Sequence, residues 1–268
     1  MNAKLDTGRV FERVFSFYGS QFTLLIPAAL VLFVPVAVIN ALLLKEGGLL
    51  LLVSAAVGLV ASFWYQGMVV EATRDILDGR RDQTIGSLFR SAAPFIGPLL
   101  AVGVLAGIAI AIGLLLLIVP GLILITIWAV VVPVIVVERA GVFEAFGRSR
   151  ELVRGNGWRV FGVIVVLFLV AIVFGGLVRG IIGGLTDESF VGYAIADAIV
   201  NVLIVPLTAL AATVVFVELR RLKGQPLLEE GPAPLPPQEP APPDTRTEAA
   251  PPEPQDAPPP SGPEAPPR

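Results

Sequence analysis

The chain contains no cysteine and no histidine. Without cysteine it can form no disulfide, no thiolate metal site and no cysteine nucleophile. Without histidine it lacks the commonest general base and the commonest ligand for transition metals. It also carries no Walker or GxGxxG loop that would cradle phosphates, and nothing typical of a nucleic-acid reader. We therefore expect no catalytic residue, no metal site, no cofactor and no nucleic-acid partner.

Charged residues are scarce as well. They make up 15% of the chain, against 55% hydrophobic residues, whereas a soluble domain carries about a quarter charged residues. A helix needs about 20 mostly apolar residues to cross a bilayer, and six runs have about that length. The chain is therefore predicted to be an all-α, polytopic membrane helical bundle. The predicted spans cover residues 22–44, 49–70, 95–118, 122–137, 158–178 and 191–217.

The third and fourth spans come from a single apolar stretch, Phe95 to Val137. One helix of that length would measure about 64 Å at 1.5 Å per residue, which is twice the thickness of the hydrocarbon layer. The stretch must therefore fold back. Proline cannot continue a helix and glycine permits a tight turn, so the hairpin turn is predicted at Pro120 and Gly121.

Signal peptides and soluble core helices also contain apolar runs, but both fit this chain less well. The first run could belong to a cleaved signal peptide, but it begins only after 21 residues, is too long for a signal core and lacks a small-residue exit. Buried core helices of a soluble protein would not contain several charge-free runs of this length. All six runs are thus expected to cross the membrane.

Lysine and arginine alternate between the connections. The amino-terminal segment, the connections after spans two and four and the segment after span six together hold 15 of them, whereas the three other connections hold Lys45 and Arg179. Basic residues mark the cytoplasmic side of a membrane protein. We therefore expect a multi-pass protein of the cell membrane with both termini in the cytoplasm.

The spans also show an internal pattern. Spans two, four and six end with Glu71, Glu138 and Glu218, each followed by arginine, and a short segment mixing apolar and basic residues precedes each odd span. In the first such segment Val10 and Val14 share one helical face. Three copies of one unit, an interfacial amphipathic helix followed by a helical hairpin, would explain the pattern. So would the ordinary placing of arginine and glutamate at a cytoplasmic boundary.

The connection between spans four and five contains the candidate residues for lipid contact. Arg148, Arg150 and Arg154 could pair with lipid phosphates, and Trp158 stands where an interfacial anchor is expected. Positive-inside topology with ordinary anchoring would give the same residues. The predicted partners are membrane lipids, with anionic headgroups at the cytoplasmic face.

Span six carries the polar residues Tyr193, Asp197 and Asn201, which are spaced four apart and so share a helical face. A carboxylate within a membrane is costly and indicates a functional site by default, which would suit a proton or cation relay. Asp197 also lies near enough to the outer end of the span to form a structural pair with Arg179. The sequence leaves both interpretations open.

Residues 224–268 are predicted to be separate from the membrane domain, residues 1–223. The segment from Pro226 onward carries 17 prolines and eight acidic residues, with almost no aromatic or β-branched ones. Such a composition cannot bury enough apolar surface to offset the entropy lost on ordering. We expect a disordered cytoplasmic tail, in which Pro234 to Pro237 matches the PxxP spacing of a polyproline ligand for a protein partner.

The stretch from Leu116 to Trp158 resembles a known family. Its motif residues are Pro120-Gly121, Trp128, Pro133, Glu138-Arg139, Arg148-Ser149, Leu152, Gly155 and Trp158. Together with the opening Leu5-Asp6-Thr7-Gly8, they are similar to the bacterial and archaeal glycerophosphoryl diester phosphodiesterase membrane domain. The resemblance covers most of residues 1–223 and implies a lipid-facing membrane architecture. It implies no reaction, because the phosphodiesterase barrel fused to some members relies on histidines, which this chain lacks.

These expectations point to a multi-pass membrane protein without a catalytic site, acting as a lipid-associated accessory or scaffold protein. The alternative is a small-solute or lipid transporter that uses the polar face of the sixth span. A transporter of that kind requires a polar cavity that reaches Asp197 from one side of the bilayer.

Overall fold

The structure is a computed structural model, and it describes residues 4–44, 49–77, 84–187 and 189–225. Within those ranges the chain is helical and contains no strand. The α-helices are α1 Thr7–Ser20, α2 Phe22–Leu44, α3 Leu49–Leu77, α4 Ile85–Ala92, α5 Ile96–Leu116, α6 Ile118–Ile127, α7 Val131–Glu138, α8 Val142–Val153, α9 Gly157–Thr186 and α10 Phe190–Leu222. A 3₁₀ turn, Ala93–Phe95, joins α4 to α5. The predicted tail from Pro226, with its PxxP match, lies outside the described residues.

Five helical segments are long and apolar enough to cross a membrane. They are Phe22–Leu43, Ile85–Leu116, Ile118–Glu138, Gly157–Thr186 and Phe190–Leu222. The all-α membrane class is therefore confirmed in this coarse form. The remaining predicted span, residues 49–70, falls within α3, which is continuous but is not one of these five segments. A count of six crossings stays a prediction.

The outer faces of α5 and α9 are apolar. Ile108 and Ile112 on α5, and Phe168 and Val173 on α9, each expose more than half of their area. A soluble monomer rarely leaves so much contiguous apolar surface in water. In a bilayer the same side chains face hydrocarbon, so their exposure carries no such cost.

The order of the elements repeats three times, because a short helix (α1, α4 or α8) precedes each helical hairpin. The segments that the sequence predicts before the odd spans are thus all helical. α1 packs on α10, α4 on α3 and α8 on α7. Each short helix therefore lies on the last helix of the preceding unit, and the three units close into a ring. Val10 and Val14, predicted to share a face, are both buried in the core.

The last helices of the three units, α3, α7 and α10, contact one another at the centre. α7 is buried along most of its length, from Val131 to Val136. Tyr65 on α3 is fully buried, and its hydroxyl donates to the backbone carbonyl of Leu25 at 2.9 Å. This bond gives the buried hydroxyl a hydrogen-bond partner, which it needs because burying an unpaired polar group is costly.

The turn between α5 and α6 lies three residues before the predicted position. Its extended residue is Leu117, with φ −156° and ψ 131°, and Pro120 and Gly121 lie in the first turn of α6. Proline is tolerated there because the first amides of a helix have no partner inside it. Gly121 serves packing instead: a Cβ added to Gly113 would lie 3.1 Å from the Gly121 Cα, so the two helices touch backbone to backbone.

The predicted span 122–137 is not one continuous helix. A turn at residues 128–130 separates α6 from α7. Pro133 cannot donate a hydrogen bond to the carbonyl of Ala129, and its ring would clash with that carbonyl in a straight helix. The proline thus explains the break that the sequence prediction missed.

Helix α8 supports this break. Trp128 packs against Phe146 of α8, with ring centroids 4.7 Å apart. The Ser149 hydroxyl donates to the carbonyl of Ile127 at 2.8 Å, a group that the break frees from the helix ladder. The turn is therefore held by specific contacts and belongs to the fold.

Three helices extend beyond the predicted spans 49–70, 158–178 and 191–217. α3 continues to Leu77, α9 to Thr186 and α10 to Leu222. The predictions followed the apolar runs alone, but a helix can continue into polar surroundings once it has formed, because each added residue gains a hydrogen bond.

We predict that Gly121→Ala destabilises the α5–α6 hairpin. A Cβ at this position would lie 2.4 Å from Leu114 Cγ and 2.8 Å from the Leu114 backbone nitrogen, so the helices must separate. Overpacking of this kind costs about 1–3 kcal/mol. The purified variant should therefore melt at a lower temperature than the wild type in detergent.

Gly107→Ala on α5 is the matched control, because a Cβ there meets nothing within 4 Å. Alanine also favours a helix over glycine by up to about 1 kcal/mol, so this variant should melt at or above the wild-type temperature. Equal melting temperatures for the two variants would contradict the proposed packing.

Candidate functional site

The three units meet at interfaces that are equivalent in the repeat but packed unequally. α2 packs closely on α10 and α5 packs on α3, but α9 contacts α6 much less. At the α3–α5 interface a Cβ added to Gly103 would lie 2.3 Å from the ring of Phe63, which shows how tight that packing is. The α6–α9 interface is thus the least closed of the three.

A groove of about 810 Å³ lies at this interface, and we call it the α6–α9 groove. Its apolar wall comes from α6, and its other wall comes from the start of α9. Its lining residues are Lys4, Val119, Leu122, Ile123, Thr126, Ile127, Gly155, Asn156, Gly157, Trp158, Arg159 and Phe161. A smaller cavity of about 280 Å³ lies between the same two helices and α10, so the loose packing extends along the interface.

Lys4 and Arg159 bring positive charge to the groove. The Leu5 amide donates to Asn156 Oδ1 at 2.9 Å, and the Arg159 guanidinium donates to the Leu5 carbonyl. Leu5 itself is buried in the core. These contacts hold the amino-terminal segment against the start of α9, which fixes the exposed Lys4 at the groove wall.

The start of α9 also favours an anion. Gly155 has a φ of +92°, a conformation that suits glycine, and it lies in the turn that leads from α8 into α9. The first amides of a helix have no partner in the helix, and its dipole is positive at that end. Trp158 is 86% exposed, as expected of an aromatic anchor at a membrane surface. An apolar wall that ends at a positive rim can hold an amphiphilic anion.

Arg148, a predicted headgroup contact, is engaged inside the protein instead. Its Nε donates to Glu138 Oε2 at 2.8 Å and its Nη1 to Glu151 Oε2 at 3.1 Å. Arg220 also lies 3.2 Å from Glu138 Oε1, and Arg148 donates to Gln225. Hydrogen bonding to Glu138 raises the pKa of Arg148 above its usual value. The network joins the ends of α7, α8 and α10, so Arg148 has a structural role, and its predicted headgroup contact stays a prediction.

An equivalent pair joins α1 to α10, where Arg13 binds Glu218. In both places the carboxylate that ends one unit binds an arginine on the short helix of the next unit in the ring. Two of the three glutamates in the sequence pattern therefore link successive units, through arginines on the short helices and not through the arginines that directly follow them.

The other predicted lipid residues divide into two groups. Arg150 and Arg154 are exposed on or just after α8 and do not line the groove, whereas Trp158 does. Sequence reasoning missed Lys4 and Arg159 as a pair. They come together through the contact between Leu5 and Asn156, which are 151 residues apart, and a single sequence carries no signal for such a contact.

The polar face of α10 is built around an ion pair. Arg179 Nη2 lies 3.6 Å from Asp197 Oδ1, which confirms the structural pair that the sequence left open. The Asn201 side chain donates to the Asp197 backbone carbonyl at 2.9 Å, and Tyr193 is exposed. Asp197 Oδ2 is buried without a hydrogen-bond partner among the described residues. Asp197 does not line the α6–α9 groove.

One protein-family model, described as Domain of unknown function (DUF7847), matches residues 82–219, just over half of the chain. No curated protein and no solved structure matches the chain. The matched range contains both walls of the α6–α9 groove, with the exception of Lys4. The resemblance to the glycerophosphoryl diester phosphodiesterase membrane domain stays a prediction, because the matched description assigns no function.

We predict that Arg148→Gln destabilises the fold, because it leaves the carboxylate of Glu138 with only one of its two arginines. Removing a hydrogen-bonded partner from a partly buried charged group costs about 1–3 kcal/mol. Arg150→Gln is the control, since Arg150 is exposed on the same helix and such changes stay within about 0.5 kcal/mol. Thermal melting in detergent measures both, and a larger loss for Arg150→Gln would contradict the assignment.

Proposed function

This chain belongs to the family described as Domain of unknown function (DUF7847), and we propose that it is a multi-pass membrane protein that binds anionic phospholipid without catalysing a reaction. In this proposal it acts as a lipid-associated accessory or scaffold protein of the cell membrane. The observation that carries the proposal is the α6–α9 groove, which joins an apolar wall to a positively charged end.

The chemistry of the groove suits a phospholipid better than a soluble metabolite. Val119 and Ile123 on the α6 wall each expose more than half of their area, so an acyl chain can lie against them. Lys4, Arg159 and the start of α9 would then meet the phosphate. A basic residue near an anionic lipid surface contributes about 1 kcal/mol, so two such residues favour anionic over zwitterionic lipid.

The orientation that we propose places this end of the groove at the cytoplasmic face. The support is the distribution of lysine and arginine, 15 of which lie in segments on one side of six crossings and two in segments on the other. Such a bias sets the orientation of membrane helices. Anionic lipids are also concentrated in the cytoplasmic leaflet, where Lys4 and Arg159 would meet them.

Two single-cysteine variants test this orientation. The chain has no cysteine, so Gly184→Cys near the end of α9 and Gly147→Cys on α8 each introduce a unique thiol, and a Cβ at either glycine meets nothing within 4 Å. We expect a membrane-impermeant maleimide to label Gly184→Cys in intact cells. Gly147→Cys should be labelled only after the membrane is permeabilised. Labelling of both thiols in intact cells would refute the six-crossing arrangement.

Lipid binding in the groove is tested by filling it. Ile123→Trp places a bulky ring on the α6 wall, and we expect the purified protein to retain less co-purifying anionic phospholipid in native mass spectrometry. Ile108→Trp is the matched control, because Ile108 is 55% exposed on α5 and does not line the groove. An equal loss of lipid in both variants, or no loss in either, would count against the groove.

The charge at the rim gives a second comparison within the same experiment. Lys4→Gln should weaken binding of anionic phospholipid about fivefold, from the loss of about 1 kcal/mol, and more so at low salt. Arg154→Gln removes an exposed charge outside the groove and should have the smaller effect. A larger loss of binding in Arg154→Gln than in Lys4→Gln would count against the groove and would favour the headgroup contacts predicted from the sequence.

A further inference from the structure

A separate cavity, apart from the α6–α9 groove and the smaller cavity beside it, lies where α3, α4, α5 and α7 meet. It has a volume of about 460 Å³, and its polar lining residues are Glu71, Arg74, Ser91 and Arg139. Pro94 and Pro98 form part of its wall. The proline ring fixes the backbone angle φ, so this part of the wall is rigid. None of these residues lines the α6–α9 groove.

The two arginines in this cavity differ from their counterparts elsewhere in the ring. Arg13, Arg148 and Arg220 are each bound to a carboxylate that ends a unit. Arg74 and Arg139 make no ion pair and no side-chain hydrogen bond within the described ranges of the chain. Glu71 also lines the cavity. Its negative charge offsets one of the two guanidiniums, so the three side chains together carry a net positive charge.

The backbone at Arg139 is a separate observation. Arg139 caps α7 in the left-handed conformation, with φ 53° and ψ 32°. Helices commonly end in this conformation, but the residue is usually glycine, because a side chain costs about 1–2 kcal/mol there. Arginine thus occupies a position that favours glycine, and its side chain lines the cavity.

We infer that this cavity binds a phosphate-bearing anion, with the guanidiniums of Arg74 and Arg139 as its principal ligands. Guanidinium is planar and matches two phosphate oxygens at once, and it is more weakly hydrated than ammonium. The hydroxyl of Ser91 supplies a further polar group in the same cavity. Either a free phosphate or a phospholipid headgroup offers this chemistry.

The test uses Arg139→Gly and Arg74→Gln in the full-length protein. Glycine suits the left-handed backbone, so Arg139→Gly should melt at or above the wild-type temperature in phosphate-free buffer. If the side chain binds phosphate, this variant should still bind inorganic phosphate about tenfold more weakly, as expected for the loss of a charge-assisted hydrogen bond. A purely structural arginine predicts the opposite combination, a less stable protein with unchanged binding.

Two ligands distinguish the sources of the phosphate. Inorganic phosphate is titrated in detergent and followed by the rise in melting temperature that binding produces. Phosphatidic acid is added to phosphatidylcholine nanodiscs and followed in the same way. A shift with inorganic phosphate that both variants lose assigns the site to a soluble anion. If only phosphatidic acid gives a shift, and both variants make that shift smaller, the site binds a headgroup, and the shift that remains comes from the α6–α9 groove.

Arg150→Gln should keep the wild-type shift, because Arg150 does not line the cavity. Lys4→Gln should keep the wild-type shift with inorganic phosphate, which separates this site from the α6–α9 groove. The proposal is overturned if neither ligand stabilises the wild type, or if Arg139→Gly and Arg74→Gln both keep the full wild-type shift with every ligand that produces one.

Discussion

At two of the three unit ends, a carboxylate and the arginine that it binds join one unit of this bundle to the next. Glu218 binds Arg13, and Glu138 binds both Arg148 and Arg220. The Glu218–Arg13 and Glu138–Arg148 pairs link the last helix of one unit to the short helix of the next, and the Glu138–Arg220 pair links two last helices. At the third junction the corresponding residue, Glu71, lines a cavity with Arg74 and Arg139. Two of the three junctions therefore share one contact, and the candidate sites lie where the units differ.

The α6–α9 groove follows from one such difference. Pro133 breaks the returning helix of the second unit, and α8 holds the break through Ser149 and the ring contact of Phe146 with Trp128. The redirected α6 packs against α5 through Gly113 and Gly121 and contacts α9 only sparsely. In the other two units the returning helix, α3 or α10, is a single element, and it contacts the first long helix of the neighbouring unit more extensively.

The sequence predicted the helical class, and it offered the repeat and the Arg179–Asp197 pair as one of two interpretations each, because all three leave a local pattern in the chain. Apolar runs, recurring Glu–Arg ends and the spacing of polar residues can all be read along one chain. The hairpin turn was misplaced because proline suits the first turn of a helix as well as a loop. The ion pairs of Arg148, and the position of Lys4 and Arg159 in one groove, were missed because partners such as Glu138, Gln225 and Leu5 are fixed only by the fold.

A structure determined in nanodiscs that contain phosphatidylglycerol would test the central claim most directly. We expect a bound phospholipid at the α6–α9 interface, with its phosphate in contact with Lys4 and Arg159 and an acyl chain against Leu122 and Ile123. Helices α6 and α9 packed against each other, with the groove closed and no lipid between them, would contradict this claim.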